Sequence, residues 1–355
     1  MPNKKVLLLV ALVMIFSTVL GACAPATDAP VEEPEAPAEG EKTKLVIYTA
    51  KENEEIEEFV PIAQAALPHL ELEVLRLSTG DLTARLLAEK DNPQADLIWG
   101  MAATSLIIFK NEGMLEPYAP AGLDGIEAGM RDPDEVPSWV GDDAYLTAIC
   151  VNTEIAEEHN LPMPTSWEDL LDPVYKDHII MPNPASSGTG FMFVSSVLQG
   201  LGEDEGWAYL DELDKNMALY TKSGSKPCKM AGAGEFAIGI SFAFVGARLK
   251  RDGAPIEFVL PAEGAGFEVE ANGLLKGANN PEGAKQFLDW AISDEALGLY
   301  AQYFAVVSKP GFPIPEGMPD DVVERLFHMD FQWSSDNRDA ILETWSTQYA
   351  EKTVD

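Results

Sequence analysis

Lys44-Leu-Val-Ile-Tyr-Thr-Ala50 is a short apolar run, suited to a strand buried on both faces of a parallel sheet. Ile56, Phe59, Val60 and Ala63 then recur at helical spacing among glutamates. Leu70 to Leu77 alternates, which predicts a second strand. Asp81 to Lys90 reads as a helix with Leu82, Leu86 and Leu87 on one face, and Asp96-Leu-Ile-Trp99 as a third strand ending at Gly100. Strand and helix in strict alternation with short loops imply an α/β sheet covered by helices on both faces. Ligands of such sheets bind beyond the carboxyl ends of the strands. Here those ends are Thr49-Ala50-Lys51, Ser78-Thr79-Gly80 and Gly100-Met101-Ala102, small or hydroxylated as a polar cleft requires.

A second α/β unit follows. Ala148 to Val151 is expected to be a strand, and Thr165-Ser-Trp-Glu168 a capping box with Thr165 as the cap and Glu168 its partner. His178 to Met181 is the next strand, running into Asn183-Pro-Ala-Ser-Ser-Gly-Thr-Gly190 and an apolar helix from Phe191 to Leu198. Phe236 to Phe242 and Pro255 to Leu260 read as further strands, and after Lys276 long helices are expected up to residue 352.

Outward to the N-terminus, Lys4 and Lys5 precede an unbroken apolar run from Val6 to Phe16, too short to span a membrane well. Leu20-Gly21-Ala22-Cys23 looks like a bacterial lipobox, which implies a signal peptide over 1–22 and a lipid on Cys23. Residues 23–43, rich in Ala, Pro and Glu, read as a disordered acidic tether. No other stretch approaches about 18 apolar residues, so the lipid is the expected membrane attachment. The chain has 355 residues and carries 59 acidic against 24 basic side chains, a formal −35. That balance excludes nucleic acid and anionic membrane surfaces as electrostatic partners.

Seven strings carry a family resemblance: Trp99-Gly-Met-Ala-Ala-Thr-Ser105, the 183–190 string above, Ser223-Gly-Ser-Lys-Pro-Cys228, Ile238-Gly-Ile-Ser-Phe242, Glu270-Ala-Asn272, Phe287-Leu-Asp-Trp-Ala-Ile-Ser293 and Asn337-Arg-Asp339. In this order, over residues 44 to about 350, the chain resembles the two-lobed solute-binding proteins of bacterial ABC importers. Within them it is similar to the branch that joins ferric-ion binders with binders assigned to 2-aminoethylphosphonate. The resemblance implies a type II periplasmic-binding-protein-like fold: two lobes, each a mostly parallel sheet flanked by helices, joined by two crossing strands near Tyr145 to Cys150 and Leu260 to Glu270. It places 44–146 and 270–355 in lobe 1 and 147–269 in lobe 2. It implies an extracytoplasmic monomer with no enzymatic activity and no cofactor, which hands its solute to membrane permeases; a ligand-presenting sensor remains the alternative role. It also implies a small anionic or zwitterionic solute, 2-aminoethylphosphonate or a related phosphonate first, a phosphate monoester or sulfonate otherwise.

Ser186-Ser187-Gly188-Thr189, between a strand and a helix, has the parts of an anion cradle: backbone N–H groups at a helix start, hydroxyls, and glycine for close approach. Ser223-Gly224-Ser225 is a candidate second arm, and Ser241 a further contact. Lys51, Lys222 and Lys226 lie near these segments, and Glu270 is the candidate acceptor for a ligand ammonium. In iron binders of this branch adjacent tyrosines follow the strand corresponding to Phe236–Phe242; Ala243-Phe244 stands there, which argues against iron. His69, His159, His178 and His328 are scattered without metal-ligand spacing, so no metal site is expected. No G-x-S-x-G elbow is present. With Cys23 lipidated, Cys150 and Cys228 are the remaining thiols, and either a disulfide between them or two buried free cysteines is consistent with an oxidising compartment.

Overall fold

The computed structural model describes residues 42–354. The signal peptide, Cys23 and nearly all of the tether lie outside the described residues.

β1 (Thr43–Thr49) begins inside the segment read as tether, because Thr43 pairs in register with Leu70. α1 (Asn53–Ala66) starts at a reciprocal cap between Glu52 and Glu55 and buries Phe59 and Ala63. β2 (Leu70–Arg76) lies parallel to β1. α2 (Thr79–Ala88) buries Leu82 and Leu86 but turns Leu87 to solvent, so the apolar face is narrower than the sequence reading drew it. β3 (Leu97–Ala102), wholly buried, joins the other side of β1 and leads into α3 (Ala103–Asn111) and the short β4 (Leu115–Glu116).

β5 (Val140–Asn152) is longer than the four residues expected, because it serves two sheets. Its first half pairs antiparallel with β10, its second half with β8 and β9. α4 (Thr153–His159) follows, capped by Asn152. The capping box near 165 is displaced by one residue: Ser166 Oγ accepts from Asp169 N–H, and Asp169 accepts from Thr165 and Ser166, over a short 3-10 turn. The helical spacing of three fits Ser166 to Asp169 as well as Thr165 to Glu168, and Glu168 N–H is taken instead by Glu263.

β6 (Ile179–Pro182) runs into α5 (Gly188–Leu201), followed by α6 (Glu203–Asp214) and β7 (Met217–Thr221). α7 (Lys226–Gly232), β8 (Ile238–Phe242), α8 (Ala243–Arg251) and β9 (Ile256–Val259) complete the second sheet. β10 (Phe267–Leu275) returns the chain to the first sheet, between β3 and β5. The strand order is β2-β1-β3-β10-β5-β8-β6-β7. β5 and the segment into β10 are thus the two crossings between the sheets, joined at their waist by Thr147 N–H to Gly266 O.

α9 (Pro281–Ala291) and α10 (Asp294–Tyr300) cover the first sheet, where Trp99, Phe287, Trp290, Phe59 and Tyr300 pack edge to face. The long helices expected up to 352 are interrupted: after β11 (Val306–Val307) the chain is mostly irregular until α11 (Phe331–Asp336) and α12 (Arg338–Tyr349). Nor does all of 270–355 accompany the first lobe. Ile341, Trp345 and Tyr349 of α12 are buried in the second core, with Trp345 edge-on to Tyr220. Large apolar side chains of this kind contribute roughly 1.5–3 kcal/mol each on burial, enough to hold the terminal helix there.

Candidate functional site

The two lobes meet across a cleft. Gly80 N–H of α2 donates to Ser186 O at 3.0 Å, and Ser225 Oγ of one lobe donates to Glu52 of the other at 2.8 Å. Lys229 pairs with Glu54 at 2.9 Å, and Lys222 with Asp81 at 3.5 Å. This is a closed arrangement. Inside it lies a cavity of about 420 Å³, counting its open mouth.

The cavity wall is built from helix starts. Ser78 and Thr79 begin α2, Ala102 precedes α3, Ser187-Gly188-Thr189 begins α5, and Phe242 precedes α8. Each start leaves backbone N–H groups without intrahelical partners and carries a partial positive charge. Ser187 Oγ accepts from Gly190 N–H and so caps α5, whereas Ser78, the cap residue of α2, makes no such bond with its side chain. A methyl on Gly188 would lie 2.7 Å from Thr79 Oγ1 and 3.0 Å from Tyr145 Oη, both across the cleft, so one of these hydroxyls would have to move. Arg76 brings a guanidinium to the wall, held by Nε to Lys51 O at 3.1 Å and by Nη2 to Glu52 Oε1 at 3.1 Å.

Beneath one wall is a buried ionic cluster. Lys51 Nζ lies 2.5 Å from Glu270 Oε2, 3.2 Å from Asp143, 3.4 Å from Asp142 and 3.8 Å from Glu55. The rings of Tyr300, Phe304 and Trp99 face the same ammonium at 4.6, 5.6 and 5.8 Å. Register explains the assembly: Glu270 of β10 is paired with Asp143 of β5, and both strands reach β1's end through β3. The Lys51 stem crosses Gly100, whose φ is +60° and where a Cβ would lie 2.8 Å from Lys51 Cδ. Burial works against the ammonium, yet the carboxylates outweigh it and hold its pKa well above the ordinary range. Burial pushes the carboxyls up in turn, against the pull of Lys51: Glu270 to about 7, Asp143 well above its usual range and Asp142 in the same direction. Asp142, Asp143 and Glu270 bring oxygens within 4.8 Å of one another, and Lys51 supplies the cation of that group.

Of the residues singled out from sequence, Ala50, Ser78, Thr79, Gly100, Ser187, Gly188, Thr189, Gly224 and Glu270 line the cavity. The others stand behind it or beside it. Thr49 Oγ1 accepts from Lys51 N–H, and Met101 is buried in the first core. Ser186 Oγ donates to Lys222 O, Ser225 Oγ to Glu52, and Ser241 Oγ to Gly224 O. Ser223, half-buried, offers its carbonyl to Thr221 Oγ1. Lys51 is fully buried among carboxylates, so it is no free partner for an anion. Ala102, at a strand end expected to face the cleft, lines it too, whereas sequence reasoning missed Glu52, Arg76, Tyr145 and Phe242 in the wall and Glu55, Asp142 and Asp143 below it. Arg76 and Phe242 end strands and Glu52 follows one, but Asp142, Asp143 and Tyr145 lie inside β5 and Glu55 in the first turn of α1, where no sequence signal marks them. Cys150 and Cys228 form a disulfide, Cα atoms 5.4 Å apart, tying β5 to α7.

Residues 92–325 match the family of bacterial extracellular solute-binding proteins. An uncharacterized protein of Haemophilus influenzae is 33% identical, over 76% of this chain and 81% of that one. A probable ABC transporter periplasmic-binding protein of Sinorhizobium fredii is 27% identical, over 69% and 68%. The structure of the periplasmic binding protein AfuA from Actinobacillus pleuropneumoniae, with exogenous fructose 6-phosphate bound, superposes with a TM-score of 0.81 at 30% identity, covering 87% of this chain and 99% of that one. The fold is therefore that of the type II periplasmic binding proteins. No helix among the described residues is long and apolar enough to cross a membrane.

Proposed function

Because the chain belongs to the bacterial extracellular solute-binding proteins, the extracytoplasmic components that serve ABC importers, we propose that it binds a small organic phosphate or phosphonate between its lobes. One observation carries this reading: the starts of α2, α3, α5 and α8, four hydroxyls and the Arg76 guanidinium converge on one cavity. Charge-assisted hydrogen bonds of roughly 1.5–3 kcal/mol each would hold the anionic head there. The opposite wall offers Glu52 and Glu270, acceptors for donor groups on the ligand's tail. Both already hold a protein cation, Glu52 with Arg76 and Glu270 with Lys51. This favours a tail bearing hydroxyls, as in a sugar phosphate, and the similarity to a protein solved with fructose 6-phosphate agrees. The second reading, 2-aminoethylphosphonate, rests on Glu270 as the group that meets the ammonium. Iron fits poorly: Ala243-Phe244 follows β8, and Tyr145 is the one phenol in the wall.

The reading extends to the rest of the chain: cleavage before Cys23, lipid on its sulfur, a monomer free to turn on its tether, and delivery to a permease rather than to a sensor. Its lobes would be 44–146 with 270 to about 330, and 147–269 with α12. Calorimetry with fructose 6-phosphate, 2-aminoethylphosphonate and methylphosphonate tests the ligand class. Thr189→Val should weaken every binder by about 1 kcal/mol or more. Glu270→Gln should weaken 2-aminoethylphosphonate by roughly 1.5–3 kcal/mol and methylphosphonate hardly at all if it reads the ammonium. Equal losses for those two ligands would remove the aminophosphonate reading, and no binding by any of the three would remove the class.

A further inference from the structure

Lys51 is one ammonium among four carboxyls, and Glu55, Asp142 and Asp143 are as fully buried as the lysine itself. Were all four ionised, three negative charges would remain unanswered. Among the described residues no second cation pairs with these four, although Glu55 Oε2 accepts from Glu52 N–H. α1 adds Glu52, already bound to Arg76 and Ser225, β10 adds Glu268, β5 adds the neutral phenol of Tyr145, and α10 adds the neutral phenol of Tyr300. Of the cations around these groups, Arg76 and Lys229 are held by Glu52 and Glu54, and Arg338 faces Glu268 and Tyr145. Both oxygens of Asp142, Oδ1 of Asp143 and Oε1 of Glu55 lack hydrogen-bond partners. Buried charge left unpaired is relieved by binding protons. Glu270 is the one of the four that also lines the cavity, so an anion seated there raises the negative potential on the whole group.

We propose that this cluster takes up about one proton from solvent for each anionic solute that binds, so that the site accepts its ligand together with a proton. The proposal rests on the anion reading of the cavity. In the step, one cluster carboxylate becomes a carboxylic acid and shares its hydrogen with a neighbouring carboxylate oxygen; no other bond changes. The result is a site with a net cost in charge much smaller than that of the ligand alone. By linkage, affinity for a fully ionised ligand falls as pH rises, up to about tenfold per pH unit, across the range where the cluster loses its shared protons. A cradle of helix starts and hydroxyls alone would show no such dependence.

The test is calorimetry of fructose 6-phosphate at about pH 8, where its phosphate is dianionic and has no proton to give, in buffers of different ionisation enthalpy. The observed enthalpy should depend on the buffer with a slope corresponding to roughly half to one proton taken up. The slope should fall toward zero in Glu270→Gln and shrink in Asp143→Asn, which leaves the cavity lining intact. Clear binding with zero slope in the unmodified protein overturns the proposal, as does an unchanged slope in both folded variants. Absence of heat with fructose 6-phosphate, 2-aminoethylphosphonate and methylphosphonate fells the ligand class instead. The cluster is then read in the free protein, by carboxyl carbon NMR with labelled Asp and Glu. A cluster signal that still titrates above about pH 6 supports proton storage, and four carboxyls all ionised by then overturn it.

Discussion

Gly80 shows how one missing side chain lets the lobes meet. A methyl there would lie 2.7 Å from Ser186 Cα and closer still to Ala185 O, both backbone atoms of the facing lobe. Backbone cannot yield as a flexible side chain can. Within its own lobe the position is in the first turn of α2, where alanine is favoured over glycine by up to about 1 kcal/mol. Gly80→Ala should therefore keep or slightly raise the melting temperature of the free protein while weakening ligand at least ~10-fold, with a larger radius of gyration by small-angle scattering. Undiminished affinity would mean that closure does not need this contact. Glu268 makes a second residue-scale case. Its carboxylate accepts from Thr104 at 2.7 Å, and burial raises its pKa from 4.5 to about 7. A carboxyl that holds its proton more tightly when folded loses stability as pH rises through that interval, by roughly 3 kcal/mol in full above it. Glu268→Gln should raise the melting temperature at about pH 8 and change little near pH 4.5; no gain at the higher pH would mean that the nearby Arg338 already offsets the charge. Some of this was legible in the sequence. Ser187 and Thr189 announce themselves by the glycines around them at a strand-to-helix junction. Arg76 does not, because nothing in the alternation of Leu70–Arg76 marks its last side chain as the one that reaches the cleft. Lys51 reads as ligand-facing only while Asp142, Asp143 and Glu270 look remote; strand pairing brings them together.

Elements whose partners are close in sequence were read well, and those defined by distant partners were not. β1, β2 and β3 follow from short apolar runs between glycine-containing or polar breaks. The sequence shows only the end of β5, because its first half, Val140 to Leu146, earns its place in a sheet by pairing with β10. The resemblance groups α12 with the first lobe; its own pattern shows a buried face but not which core buries it, and Ile341, Trp345 and Tyr349 pack in the second. The disulfide belongs to this scale as well. It fastens α7, whose preceding Ser225 reaches across to Glu52, onto β5 in the hinge region. The pair Cys150→Ala with Cys228→Ala should lose about 2–4 kcal/mol of stability in denaturant, given a separation of 78 residues. A loss confined to ligand affinity, with stability intact, would make the bridge a positioning device for the cleft loop alone.

For the whole molecule, closure is held partly by charge. Lys229 joins Glu52 at 3.4 Å and Glu54 at 2.9 Å, and Arg248 approaches Glu54 at 3.9 Å. These side chains are partly exposed, so each pair is worth at most about 1 kcal/mol and weakens with salt. Lys229→Met should shift the free protein toward the open state and lower ligand affinity two- to five-fold, an effect that shrinks in high salt; equal losses at both salt levels would point to packing instead. The proposed anchor is separable from all of this. Cys23→Ala should abolish fatty-acid labelling while leaving the melting temperature and ligand affinity unchanged, and retained label would refute lipidation at that sulfur.

The place of β10 in the first sheet sets a timetable for biogenesis. It lies between β3 and β5, yet it is synthesised long after both. A growing chain that has paired β1, β2 and β3 presents the wholly buried strand Leu97–Ala102 as a bare edge until Phe267–Leu275 emerges. At ~5–20 residues per second that interval is on the order of ten seconds or more. Through it the nascent protein carries an apolar strand edge open to any other strand. A chaperone that shields such edges, or export that keeps the chain extended until its synthesis is complete, would serve this topology better than stepwise folding from the N-terminus.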